Sequence, residues 1–289
     1  MHNIQYLLNK YILLPFLGQK RTIKYIHKKA LNRELDIDHP VTFTDKIHCR
    51  KIERNKLYVL CADKIKVRDY VKKTIGEKYL IPVFLITKKL KEEDWNNLPD
   101  SFIVKTAHAS GTNVIVYDKK NTDKKEVLKI IGKYQKINFA YVWCELFYKK
   151  IKPYVIVEKL LVTKNNTIPD DYKMHCFKNN GNWKIFIQVD TDRFGNHCQN
   201  FYDEKWKLTD ISMGLPITET PKDKPEKLEE MIEISKKLAK PFEYTRVDLY
   251  CLNNQIYFGE LTFTHQAGLT RFNPPEYNEI WGSYWKKAS

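Results

Sequence analysis

Apolar residues recur at helical spacing in several stretches of the chain and alternate with polar ones in short runs elsewhere. Near the start Ile4, Leu7, Leu8, Tyr11 and Ile12 mark one side of a helix, followed by Leu14-Pro15-Phe16-Leu17. Val67, Tyr70 and Val71 do the same over residues 64–73, where Asp63 stands in position to cap the helix. A helix is predicted over 123–136. Another over 225–240 puts Leu228, Met231, Ile232, Ser235 and Leu238 on one face, with Pro225 in its first turn. Strands are predicted at 79–84, 102–105, 114–117, 154–158, 171–177 and 183–189, and a closing hairpin at 244–252 and 256–263. The first 98 residues are thus mostly helical, and 99–285 are rich in short strands. This order predicts the α+β class, with antiparallel sheets covered by helices.

Composition narrows the class further. With 289 residues, 43% hydrophobic and 29% charged, the chain can bury a sizeable core. No apolar run approaches the ~20 residues that cross a bilayer. The six cysteines form no CxxC pair and are too sparse for a secreted disulfide scaffold, so a reduced cytoplasmic protein is expected and a zinc role is not. Fifty Lys+Arg against 35 Asp+Glu leave a charge of +15, which suits anionic partners. Nucleic acid is not expected among them, since there is no RNP signature, zinc finger or Gly-Arg repeat. The N-terminal helix leads into a basic stretch from Lys20 to Lys29. It lacks the charged start and small-residue cleavage site of a signal peptide. Packing on the domain is the preferred reading of this helix; peripheral contact with an anionic membrane is the other.

The hairpin carries the densest chemistry. A two-residue turn at Asn253-Asn254 would pair 252 with 255 and set Asp248 and Glu260 on opposite faces. A three-residue loop would pair 252 with 256 and place Asp248 directly across from Glu260. The second register separates Arg246, Asp248, Glu260 and Thr262 from Val247, Leu249 and Leu261, and is expected for that reason. Facing carboxylates repel unless a cation lies between them, and hard oxygen donors suit Mg²⁺. A surface hairpin whose carboxylates pair with lysines is the plain structural alternative.

Three further segments are each weak alone. Val104-Lys105-Thr106-Ala107-His108-Ala109-Ser110-Gly111-Thr112-Asn113 runs strand, small-residue loop, strand. Such a loop can turn backbone N–H groups toward phosphate while Lys105 adds charge, although it is no Walker A motif and reads equally as an ordinary turn. The apolar run around Glu158, Lys159 and Leu161 is broken by one acid and one base. Asp170-Asp171-Tyr172-Lys173 brings a second lysine to the start of a strand.

In this order the segments resemble the ATP-grasp superfamily, which includes D-alanine–D-alanine ligase, and more closely the TupA-like ATP-grasp family. The resemblance extends through His39-Pro40-x-Thr42-Phe43-Thr44-Asp45-Lys46-Ile47, Ala62-Asp63-Lys64, Val67-Arg68, Ile75-Gly76-Glu77-x-Tyr79-Leu80-Ile81-Pro82 and Phe201-Tyr202-Asp203. It continues through Arg246-Val247-Asp248-Leu249-Tyr250 and Gly259-Glu260-Leu261-Thr262-Phe263-Thr264, covering about 35–282. It implies two α+β subdomains clasping ATP, behind a helical N-terminal region. It further implies that Lys105 and Lys173 hold phosphates under the loop containing Thr106, His108, Ser110 and Gly111. Glu158, Lys159 and Leu161 would contact adenine chiefly through backbone. Asp248, Glu260 and Thr262 would hold Mg²⁺, and Arg246 would steady the transferring phosphoryl group. Departures are Thr262 where Asn is common, Ala109 in place of a loop glycine and His265 in place of a proline.

The activity implied is an ATP-dependent carboxylate–amine ligase. It would join an amino acid to a uronic acid or acidic envelope polysaccharide, either free or as a lipid-linked precursor, in the cytoplasm or at the inner membrane face. Arg193 is a candidate clamp for the substrate carboxylate, or a partner of Asp190 or Asp192. A sugar kinase, a nucleotide-binding protein without catalysis and a basic glycan- or nucleic-acid-binding module are the alternatives.

Overall fold

The computed structural model describes residues 2–191, 196–218 and 221–286. In chain order its α-helices are α1 (His2–Leu8), α2 (Leu14–Leu31), α3 (Phe43–Ile52), α4 (Lys56–Ala62), α5 (Val67–Thr74), α6 (Glu92–Asn96), α7 (Lys124–Lys136), α8 (Leu228–Ala239) and α9 (Tyr277–Tyr284). A π-helical turn, Asn9–Leu13, joins α1 to α2. The strands are β1 (Val83–Thr87), β2 (Phe102–Thr106), β3 (Asn113–Val116), β4 (Val155–Lys159), β5 (Asp171–Asn179), β6 (Asn182–Thr191), β7 (Cys198–Tyr202), β8 (Tyr244–Leu252) and β9 (Gln255–Thr262). They form two antiparallel sheets, ordered β1-β4-β2-β3 and β7-β6-β5-β8-β9. The α+β expectation holds.

Local chemistry explains where the elements start. The Asp63 carboxylate accepts the N–H groups of Ile65 and Lys66, so it caps a turn, and regular helix begins only at Val67. The Leu228 N–H reaches the Pro225 carbonyl, which likewise makes 225–227 a turn ahead of α8. The strand predicted at 79–84 starts at Val83 instead. Tyr79 closes a 3-10 turn, and Pro82 has no N–H to offer a ladder. Strand β7 is not among the strands the pattern predicts.

The five-stranded sheet separates its two faces by strict alternation. Tyr172, Met174, Cys176, Ile185, Ile187, Val189, Val247 and Leu249 point to one side, where Met231 and Leu238 of α8 close a buried core. Tyr58, Cys61, Val67 and Val71 from the N-terminal helices join that core. The opposite face is divided. Its lower half is aromatic, with Phe177, Phe186 and Tyr244 packed on Phe43 and Trp281; the Phe186 and Trp281 rings stack at 4.7 Å. Its upper half is charged. In the four-stranded sheet Val104, Val155 and Val157 pack on Val127 and Ile131 of α7, leaving Ile103 and Lys105 for the other face.

The aromatic half depends on a close helix contact. A Cβ on Gly282 of α9 would lie 2.2 Å from the Val41 carbonyl oxygen and 2.9 Å from the Thr42 carbonyl carbon. Backbone cannot swing aside as a side chain can. Gly282→Ala should therefore lower unfolding free energy by about 3 kcal/mol in urea titration, the upper end of overpacking costs. An unchanged midpoint would refute this close packing of α9.

Candidate active site

Two adjoining cavities lie between the sheets. One, of about 550 Å³, is lined by apolar groups such as Ile81, Ile103, Ile115 and Leu161, with Tyr250 from the larger sheet. The other, of about 520 Å³, is lined by charged groups including Lys64, Lys173, Arg246, Asp248 and Glu260. Lys105, Gly111, Asn113, Asp171 and Asp190 line both, so the spaces meet at the small-residue loop.

The charged floor comes from alternate positions of four neighbouring strands. Lys173 on β5 sits between Gln188 on β6 and Asp248 on β8 in the ladder. Its ammonium bonds Asp171 and lies 3.1 Å from Asp190 and 3.9 Å from Asp248. Burial disfavours that charge, but the three carboxylates outweigh it and raise the pKa. Asp190 also accepts from Gln188 at 2.9 Å and Gln199 at 3.0 Å. Burial opposes its ionisation, yet Lys173 and these amides hold it down at about 2.

Asp248 and Glu260 face each other directly, as expected, but by a different route. The turn is the two-residue one. Asn253 and Asn254 both have positive φ, and Leu252 pairs with Gln255. The register then shifts by one between Asp248 and Leu249, with Gly259 as the extra residue of a β-bulge. The bulge turns Glu260 to the side that a regular two-residue hairpin denies it. Glycine suits the spot, because a Cβ there would stand 3.1 Å from the Asp248 carbonyl oxygen.

Arg246 ties the acids together. Its Nε and Nη2 each donate to Asp248 at 2.6 Å, and Nη2 donates to Glu260 at 3.3 Å. Its Nη1 lies 2.8 Å from His265 Nδ1. A guanidinium only donates, so Nδ1 must accept and the imidazole is neutral. Burial and the nearby cations agree, pushing the His265 pKa well below its usual value. The departure at His265 thus orients the arginine. The Thr262 hydroxyl donates to Glu260 at 3.0 Å. Burial raises Asp248 to about 6 against the pull of Arg246 and Lys173, whereas Lys64 and Arg246 overcome burial at Glu260 and hold it at about 2.

On the smaller sheet the Lys105 ammonium lies 2.7 Å from Glu158, whose other oxygen receives Arg68 at 3.3 Å. Strands flank β4 on both sides, so the Glu158 backbone lies within the sheet and its side chain holds the two cations. The Lys159 N–H bonds the Pro82 carbonyl, and Leu160 and Leu161 follow beyond the sheet at the apolar cavity. In the loop, Ser110 and Gly111 line the charged cavity. Thr106 and His108 line neither cavity and instead fasten the loop. The Thr106 hydroxyl meets that of Thr112 at 2.6 Å, and His108 Nε2 meets the Ile137 carbonyl at 2.9 Å. Arg193 lies outside the described residues.

Several groups at this site carry no role from sequence reasoning. Lys64 bonds the Ala109 carbonyl at 2.6 Å beneath the loop. Glu145 is buried in the cavity wall and accepts the Thr264 hydroxyl; burial raises its pKa. Asp171, Gln188 and Asp190 were legible as polar residues at every second position of otherwise apolar strands. Nothing local marked Glu145, which lies in a coiled segment.

No curated protein matches the chain significantly. Solved structures similar to it include D-alanine–D-alanine ligase from Helicobacter pylori, at 16% identity and TM-score 0.45, over 81% of this chain and 64% of that one. N5-carboxyaminoimidazole ribonucleotide synthetase from Thermus thermophilus is 8% identical, with TM-score 0.41 over 72% and 46% of the two chains. A RiPP-associated ATP-grasp ligase from Chryseobacterium gregarium, in complex with ADP and a leader and core peptide, is 12% identical, with TM-score 0.40 over 80% and 60%. The chain therefore spans less than two thirds of the length of each of these proteins. A model of the family described as TupA-like ATPgrasp matches residues 45–286, nearly the whole chain beyond its N-terminal helices, and the protein belongs to that family.

Proposed function

We propose that the protein is an ATP-dependent carboxylate–amine ligase joining an amino acid to a uronic acid or acidic envelope polysaccharide. The observation that carries this reading is an apolar cavity opening into a charged one where Asp248 faces Glu260 across Arg246. In this reading adenine occupies the apolar side near Lys159 and Leu161. The triphosphate crosses the shared wall under Ser110 and Gly111, met by Lys105 and Lys173, with Lys64 as a further cation. Asp248 and Glu260, helped by Thr262, would hold Mg²⁺. Among the described residues no cluster of three acids, histidines or cysteines forms a closed metal cage. Two facing carboxylates still fit an ion that takes its remaining ligands from water and phosphate. When bound, it neutralises charge developing on the phosphates.

The protein's own residues do the rest by positioning. A substrate carboxylate oxygen attacks the γ-phosphorus and ADP departs. Arg246, held by Asp248 and His265, stabilises the transferring group. The acyl phosphate is then attacked by an amine, and phosphate leaves. Glu145, on the wall of the charged cavity, would accept the amine's proton. Arg193 would clamp the substrate carboxylate. The charge of +15 suits an acidic acceptor, including a lipid-linked precursor at the inner face of the membrane. No helix among the described residues is long and apolar enough to cross a membrane.

ADP and phosphate release from Mg·ATP should require a carboxylate and an amine together when amino acids and uronic-acid glycans are supplied singly and in pairs. Phosphorylated sugar formed without amine would replace the ligase by a kinase. Tight ATP binding with no release for any pair would favour a binding protein.

A further inference from the structure

The N-terminal helical arm carries a surface that the site does not explain. Ile4 is 80% exposed, Phe16 79% and Tyr11 58%, and Leu7, Ile12 and Leu17 are also exposed. Of the thirteen large hydrophobics exposed among the described residues, these six fall within 4–17. The arm is nevertheless docked through its other side. Asn9, fully buried, donates to the carbonyls of Tyr141 and Val142 at 2.9 Å each. Gln19 donates to Lys51 and Cys144, and Ile23 and Ile26 are buried. The apolar outer row is therefore presented by an anchored element.

Charge selects the occupant. The first 33 residues hold seven Lys and Arg and not one Asp or Glu. Lys20, Arg21, Lys24, Lys28 and Lys29 are exposed on the helical stretch that follows a break at Gly18 (φ 72°, ψ 172°), just beyond the apolar row along the chain. A second copy packed on this row by two-fold symmetry would bring like charges together. Nucleic acid would leave the apolar side chains without a role. A bilayer with anionic headgroups satisfies both sets, apolar groups entering the acyl boundary and lysines meeting the phosphates.

We infer that residues 4–29 seat the protein on an anionic phospholipid surface. The segment that Asn9 and Gln19 grip, 141–144, continues into the wall of the charged cavity through Trp143 and Glu145. Seating would hold that wall near the lipid, where a lipid-linked acceptor is carried. Only this last consequence rests on the ligase reading; the seating is independent of it.

The test is flotation of the full chain with phosphatidylcholine vesicles, with or without phosphatidylglycerol, in low and raised salt. The wild type should float with phosphatidylglycerol vesicles in low salt and much less with phosphatidylcholine alone. Ile4→Asp/Phe16→Asp should bind at least about tenfold more weakly, given the transfer energy of two large apolar side chains. Lys20→Glu/Lys24→Glu should also bind weakly and lose the salt dependence. Both variants alter exposed groups and should melt like the wild type. Indifference of the wild type to both vesicles would overturn the inference. So would undiminished binding by both variants, or a wild-type dimer that Ile4→Asp/Phe16→Asp dissociates. Flotation needs neither nucleotide nor substrate, so its failure leaves the ligase assay unaffected.

Discussion

Asp248→Asn and Glu260→Gln should each reduce Mg·ATP turnover on the order of 10³-fold or more. Both changes keep shape and remove one negative charge from the pair that faces the shared cavity. Catalytically they should be alike, since an ion held by two carboxylates loses half its protein charge in either variant. Glu260 also carries a stability effect. Lys64 and Arg246 hold its charge down at about 2, so Glu260→Gln should melt lower. Turnover and thermal melts of both variants check the two claims. Wild-type-like turnover in both would sink the metal assignment.

Acid should unfold the protein earlier than its carboxylates alone would dictate. Burial is the largest cause of a lowered pKa at five histidines, His27, His48, His108, His175 and His265. His27 is lowered to about 4 and His175 to about 3, and His48 and His265 lie well below the usual value. Cations reinforce burial at each, with Arg246 beside both His175 and His265, and Lys51 beside His48. Because the folded pKa is depressed below that of the unfolded chain, these groups contribute full stability above about pH 6.5. That stability is lost as pH falls, at about 1.4 kcal/mol per pH unit for each proton taken up on unfolding. Asp190 and Glu260, both held at about 2, lose theirs lower down, below about pH 4. Asp248 and Glu145, both raised by burial, work the other way, but they are two groups against five. Urea titrations near pH 5.5 should therefore show net uptake of about three protons on unfolding. His175→Gln should lower that number by about one. A flat stability profile between pH 7 and 5 would contradict the burial of these rings as neutral groups.

Much of this site was legible because it lies on strands, where position alone assigns a face. Asp171 and Lys173 alternate with Tyr172 and Met174, and Arg246 and Asp248 with Val247 and Leu249, so period two separates charged floor from core. The order of these segments also carried the resemblance to the family. Capping was readable at Asp63, though the first regular turn of α5 starts later than the cap suggests. That Lys105 and Lys173 stand on strands of different sheets is shown by the fold alone.

Other features had no local signal. The N-terminal helix is expected from its spacing, but its docking through Asn9 and the exposure of Ile4 and Phe16 depend on what segment 139–145 presents to it. The juxtaposition of Asp248 and Glu260 is anticipated through a three-residue loop, whereas the chain makes a two-residue turn and recovers the register with a bulge at Gly259. The functions of Glu158 as a bridge between Lys105 and Arg68, and of His265 as a neutral acceptor for Arg246, join residues 90 and 19 positions apart. The sequence by itself determined which side chains share a face, since covalent geometry makes that a matter of counting by two. Only the tertiary structure decided which faces meet and which charges neutralise one another, because those depend on burial and on distances between elements that no local spacing encodes.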